Sequence, residues 1–335
     1  MLNRVQGCLL GACLGDAMGM PVETMSHTDI QALNNGRGVT YFMNPVQKRI
    51  WDTANLGGGD TTDDWQLTQA VARSIIRNRG TIDIRDCAEE HVKELKKSAF
   101  GWGKSTQSAI QDIADGKRDP VLNSLSPTAN GQGCGNGVVM KIAPVAIAHA
   151  IRYHHQDSYA LWEQCKTLGS LTHPDIRASI AAYAVALLMQ FILRRKHEQP
   201  LHGAKLASWT EETIIRDVRA IEEDEHPSGE LVSSRLVSAL AALDSVEKLR
   251  LAVGCGYYAI DTAAFAIGVS IIHATDFEGG VLAAVNAGKD TDTNASVVGA
   301  LIGANCGVYA IPVMWRVFKF EYIEAFSLGQ QLCSM

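Results

Sequence analysis

"ASIAAYAVALLMQFIL", residues 178–193, runs for sixteen positions without a charged side chain. A helix that spans a bilayer needs about twenty apolar residues. This run is shorter and reads as a helix buried inside a soluble protein, with no membrane partner. Working outward from it, most of the chain repeats apolar residues every three to four positions, while alternating runs of Val, Ile, Thr and Tyr are missing. An all-α fold follows. Helices are expected over 3–19, 62–79, 83–98, 104–115, 136–152, 157–169, 174–195, 209–223, 231–241, 257–273, 277–287 and 292–307.

Composition agrees with a packed, soluble chain. Of 335 residues, 47% are hydrophobic and 20% charged, and the mean hydropathy is +0.00, which excludes both a disordered chain and a polytopic membrane protein. The net charge of −6, with no basic block beyond "RRK" at 194–196, excludes nucleic acid as a main partner. The N-terminal run ends in the acidic Asp16 and is read as a buried first helix rather than a signal peptide. Eight cysteines are scattered without a C-x-x-C pair or zinc-ligand spacing, which fits buried thiols in a reducing, cytoplasmic setting. With no tandem repeat or low-complexity linker, the reading is one domain over 1–335, and 196–256 is taken as a peripheral part of it without a glycine-rich ligand loop.

Glycine and polar residues gather in four loops: "NNGRGVTYFMNP" (34–45), "TANLGGGDTTDD" (53–64), "LSPTANGQGCGNG" (125–137) and "NAGKDTD" (286–292). Such loops let backbone approach a ligand closely, and a helical scaffold holds them in place. Two of them have the same design. "GGGDTTDDWQLTQAVARSI" (57–75) and "AGKDTDTNASVVGALIGA" (287–304) each run from glycines through a Thr/Asp cluster into a helical pattern, so both clusters lie at helix N-termini. Capping needs one such oxygen per helix. The first cluster offers Asp60, Thr61, Thr62, Asp63 and Asp64, and the second Asp290, Thr291, Asp292 and Thr293. Hard oxygen donors with no His or Cys suit Mg²⁺, Mn²⁺ or Ca²⁺ rather than zinc. From residue types alone, capping and a metal site stand as equal readings.

The motifs together are similar to those of the ADP-ribosylglycohydrolases. The resemblance runs in order through "GCLLGACLGDAMGMPVE" (7–23), "TTDDWQLT" (61–68), "FGWGKST" (100–106), "GNGVVMKIAPVA" (135–146), "LTHPD" (171–175) and "AVNAGKDTDTNASVVGALIGA" (284–304). It implies a compact, orthogonal multi-helix fold with a two-metal centre at helix N-termini, holding two Mg²⁺ or sometimes Mn²⁺. By that resemblance the ligands are Thr62, Asp63, Asp64, Asp290, Asp292 and Thr293. Glu23, Asp63 and Asp292 are the catalytic candidates, and Gly101, Gly103, Ser105, Gly135, Asn136, Gly137 and His173 the substrate contacts. Asp16 is read as a local anchor, and Trp102 fits core as well as site.

The implied reaction is hydrolysis between ADP-ribose and a modified protein side chain, with arginine ahead of serine or a small adduct, and ADP-ribose as product. The competing readings are a catalytically silent ADP-ribose-binding protein and an immunity protein on the same fold. Three positions depart from the family pattern: Val138-Val139-Met140-Lys141, where a small or hydroxyl residue and then Met-Arg are common; Lys289, where glycine is common; and Trp65, where threonine is frequent.

Overall fold

A computed structural model describes residues 1–46, 56–99, 101–122, 133–152, 157–319 and 322–335. Among the described residues the fold is all-α, and the only extended pairing is one antiparallel bridge between Gly135 and Tyr258.

Two helices, Leu2–Gly19 and Thr291–Cys306, form the axis. Gly7, Gly11, Gly15 and Gly19 recur every four residues and therefore share one helix face. A methyl group added at these four positions would stand 2.3, 2.1, 2.0 and 2.3 Å from the carbonyl oxygens of Gly303, Gly299, Ala295 and Thr291. The partner index falls as the first rises, so the helices run antiparallel with backbone against backbone. This contact brings the end of the first helix to the start of the second, where Thr291 Oγ1 donates to the Gly19 carbonyl at 2.8 Å. The chain leaving Gly19 reaches Glu23 beside Asp290 and Asp292.

The charge-free run lies within Ile176–Arg194, a helix whose residues 178–190 are all buried. It packs against Ala143–Arg152, Ser158–Thr172 and Ala259–Ile272. On the other side, Asp63–Arg77 and Ile84–Lys97 are amphipathic and joined by charge, with Arg73 meeting Glu90 at 3.1 Å and reaching Glu324 of the last helix, Ile323–Cys333, at 2.9 Å. Leu206, Ile214, Val218, Leu236 and Leu249 of the 196–256 stretch belong to the same hydrophobic cluster as Leu10 and Leu301.

The structure corrects several expected elements. Residues 136–152 do not form one helix: Asn136–Val138 is a 3-10 turn and the α-helix starts at Ala143. Pro144 lacks an N–H and fits only a first helical turn, so the chain before it is free to wrap the site. Helices at His27–Gln31, Val246–Val253 and Ile323–Cys333 were not expected. Parts of two predicted loops, 53–55 and 125–132, lie outside the described residues.

Candidate active site

The two acidic loops, the first-helix exit and the Gly135–Gly137 turn surround a cavity of about 750 Å³. Glu23, Asp63, Asp64, Asp290, Asp292 and Thr293 line it, as do Gly101, Gly103, Ser105, Gly135, Asn136, Gly137 and His173. Of the metal-ligand, catalytic and substrate-contact candidates, Thr62 alone is not on the wall. It stands one layer behind, with its Oγ1 3.4 Å from Asp64 Oδ2 and 3.5 Å from Asp292 Oδ2.

Capping explains part of the first cluster. Thr62 is the N-cap, accepting from the Asp64 N–H at 3.3 Å. Asp16, fully buried, accepts from the Thr62 and Trp65 amides at 3.0 and 2.9 Å and from the Thr62 hydroxyl at 2.9 Å, so it anchors the helix start as its motif implied. Asp63 and Asp64 are left for the cavity. A methyl group on Gly101, whose φ is +81°, would stand 2.6 Å from Asp63 Oδ1; that position needs glycine both for its backbone angle and for this approach. The buried Trp102 faces inward and donates to Gln66 at 2.8 Å, which makes it core.

At the second cluster capping fails as an explanation. Asp290 occupies the N-cap position but its side chain accepts no capping bond. Instead Asp290 Oδ2 accepts from Asn136 Nδ2 at 2.6 Å. Carboxylate oxygens of Glu23, Asp290 and Asp292 all lie within 4.8 Å of one another. Thr293 Oγ1 donates to Asp64 Oδ2 at 3.2 Å, which joins the two helix starts, and the buried Asp64 Oδ1 has no hydrogen-bond partner among the described residues.

The electrostatics of this centre call for positive charge. Burial, and next the Asp292 charge, hold Asp16, Asp64 and Asp290 well above the usual carboxylate range and push Asp63 up to about 7. Burial raises Asp292 as well. Buried like charges relax only by taking protons or by binding a cation. An all-oxygen donor set with an unpartnered buried oxygen fits a hard divalent ion, and the arrangement can hold one.

Two assignments change. The Asn136 amide, expected among the substrate contacts, is committed to the Tyr257 carbonyl at 3.1 Å, and its side chain serves Asp290. Residues 254–256, "GCG", support the site from behind rather than lie at the periphery: the Cys255 carbonyl accepts from the Asp290 N–H at 3.3 Å and from Asn294 Nδ2 at 2.8 Å. Tyr257, which follows, lines the cavity and its phenol hydrogen-bonds Glu23. Sequence reading did not single it out, although two glycines before a helix were a visible signal.

Among the departures, Val138 and Val139 are buried core and Met140 lines the cavity. Trp65 is buried, and Lys289 is exposed at the rim with φ +67°.

A profile of the ADP-ribosylglycohydrolase family matches residues 1–333. The chain belongs to the ADP-ribosylglycohydrolase family. It is an enzyme of that hydrolase class, which acts on glycosidic ADP-ribosyl bonds. Its relatives include the ADP-ribosylhydrolase ARH3 of Bos taurus, 27% identical over 99% of this chain and 92% of that one. The ADP-ribosylarginine hydrolase Tri1 of Pseudomonas putida (strain GB-1) is 25% identical over 99% and 78%. Among solved structures, an ADP-ribosylglycohydrolase-related protein complex superimposes with a TM-score of 0.72 at 24% identity, covering 100% of this chain and 98% of that one, and so shares the fold.

Proposed function

We propose that this family member is a divalent-cation-dependent hydrolase that releases ADP-ribose from a modified protein side chain, arginine in the first place. The observation that carries the reading is the convergence of Glu23, Asp290 and Asp292 on one wall of a cavity large enough for a nucleotide-sized ligand. The Tri1 relative's name supports arginine as the acceptor. In this reading the whole chain acts as one cytoplasmic domain.

Thr62, Asp63, Asp64, Asp290, Asp292 and Thr293 would hold the cations, two Mg²⁺ or Mn²⁺. Bound there, they would supply Lewis acidity toward the ribose hydroxyls and lower the pKa of water. The chain's own side chains do the rest. Gly101, Gly103 and Ser105 on one side and Gly135, Gly137 and His173 on the other position the ligand. Glu23, its carboxylate oriented by Tyr257, accepts a proton from water as the water oxygen bonds to C1″ of the distal ribose. The C1″–N bond breaks through an oxocarbenium-like state, and the proton passes to the departing guanidine nitrogen. Asp63 and Asp292 line the same cavity and are the further candidates for delivering that proton.

The experiment incubates the protein with arginine-linked and serine-linked ADP-ribosyl peptides, with Mg²⁺ and with EDTA. Release of ADP-ribose from the arginine-linked peptide in Mg²⁺, stopped by EDTA, is expected. Release from the serine-linked peptide alone reassigns the acceptor, turnover in EDTA overturns the mechanism, and release from neither favours a binding protein.

A further inference from the structure

Behind the cavity wall lies a buried polar chain that the catalytic account does not use. Lys141 and Thr172 are almost wholly enclosed, and the Lys141 ammonium donates to Thr172 Oγ1 at 3.4 Å. Thr172 Oγ1 is in turn 2.8 Å from His173 Nδ1. The opposite edge of the imidazole faces the ligand turn. A methyl group on Gly137 would stand 3.1 Å from His173 Nε2, and one on Gly135 3.3 Å from it, and all three residues line the cavity.

An ammonium has only donors and a threonine hydroxyl has one proton. Among the described residues Thr172 Oγ1 has these two partners and no other, and since the ammonium cannot accept, His173 Nδ1 is the one acceptor open to the hydroxyl proton. Nδ1 therefore accepts, and a neutral ring must carry its own proton on Nε2. Burial, and next the Lys141 charge, push His173 down to about 3, so the ring is neutral at physiological pH. We propose that Lys141 is a positioning residue for substrate: acting through Thr172, it fixes His173 as the Nε2–H tautomer, which presents a hydrogen-bond donor to an oxygen of the ligand in the cavity. Which group setting a ring's tautomer sits on its far nitrogen is the usual logic of buried histidines. The resemblance gives arginine at this position, so a lysine here is this chain's own way of supplying the donor. The ligand's identity rests on the ADP-ribosyl reading above, whereas the tautomer does not.

The test reads the tautomer directly. Long-range ¹H–¹⁵N correlation spectra of the ligand-free protein at pH 7 are recorded for the wild type, Lys141→Met, Lys141→Arg and Thr172→Val. The wild type and Lys141→Arg are expected to show His173 protonated on Nε2, and Lys141→Met and Thr172→Val to show loss of that preference. With an ADP-ribosyl peptide, KM should rise roughly tenfold in Lys141→Met and Thr172→Val, the worth of about one hydrogen bond, with a smaller change in kcat and recovery in Lys141→Arg. A wild-type ring protonated on Nδ1 overturns the proposal, as does a tautomer unmoved by Thr172→Val, a near-isosteric change that keeps the test decisive if Lys141→Met does not fold. If the expected tautomers appear but no ADP-ribosyl substrate is turned over, the functional reading fails and the positioning role stands.

Discussion

At the start of Asp63–Arg77, Thr62 caps the helix and Asp16 gathers two further amides, whereas at the start of Thr291–Cys306 no side chain caps and Asp290 turns away to Asn136. Both starts have the same sequence design, yet only the first uses its N-cap side chain to hold the helix; at the second, Asp292 Oδ1 takes the Thr293 N–H at 3.0 Å. The difference separates two jobs that sequence alone superimposes. Buried carboxylates that crowd one another are a standing electrostatic cost in the cation-free protein, and both starts carry it.

The largest effect is expected from Asp292→Ala, whose carboxylate touches both halves of the centre. Its kcat/KM for ADP-ribose release should fall by about 10³-fold or more, while the thermal midpoint of the cation-free protein holds or rises because a buried like charge has gone. Loss of folding by circular dichroism would refute the division of roles. Asp16→Ala should do the converse: its three donors lose a buried acceptor, costing about 2–4 kcal/mol of stability by denaturant titration. If it unfolds no more easily than wild type, Asp16 is not the anchor.

The comparison is sharpened by pH. Asp63 is pushed up to about 7, and Asp64 and Asp290 are also raised, by burial first and then by Asp292. Between the ordinary carboxylate range and these raised values the native state binds more protons than the unfolded one, so stability falls as pH rises. In EDTA the melting temperature should therefore drop from pH 5 to pH 8. Divalent ion favours the charged form, so added Mg²⁺ should raise the midpoint more at pH 8 than at pH 5. Equal shifts would mean that these carboxylates are not where the ion binds. The smallest effect belongs to Lys289→Gly. Its left-handed φ of +67° strains any residue with a Cβ, so glycine should add up to about 1 kcal/mol of stability. Little change in turnover is expected, since the side chain is exposed at the rim; a large change would place it on the reacting groups.

Much of this was legible before any coordinates. Glycines followed by Thr and Asp mark a helix start through local chemistry, and the absence of alternating β-branched runs marks an all-α fold; both signals are short-range. What was not legible depends on partners far apart in the chain. Tyr257 looks like any tyrosine at a helix start until its phenol is seen on Glu23. Likewise the spacing of Gly7, Gly11, Gly15 and Gly19 gains meaning only when Thr291, Ala295, Gly299 and Gly303 lie opposite. The single helix expected over 136–152 failed because periodicity outweighed Pro144, which marks a start rather than an interior. Capping and metal binding could not be separated in sequence because both use the same oxygens; the structure shows that the Asp290 side chain makes no capping bond.

The most direct test of the centre is a calorimetric titration of EDTA-stripped protein with Mn²⁺, in the wild type and in Asp292→Ala. Two ions per chain for the wild type, and fewer than two for the variant, are the predicted result. No saturable binding, or the same stoichiometry and affinity in both proteins, would contradict it.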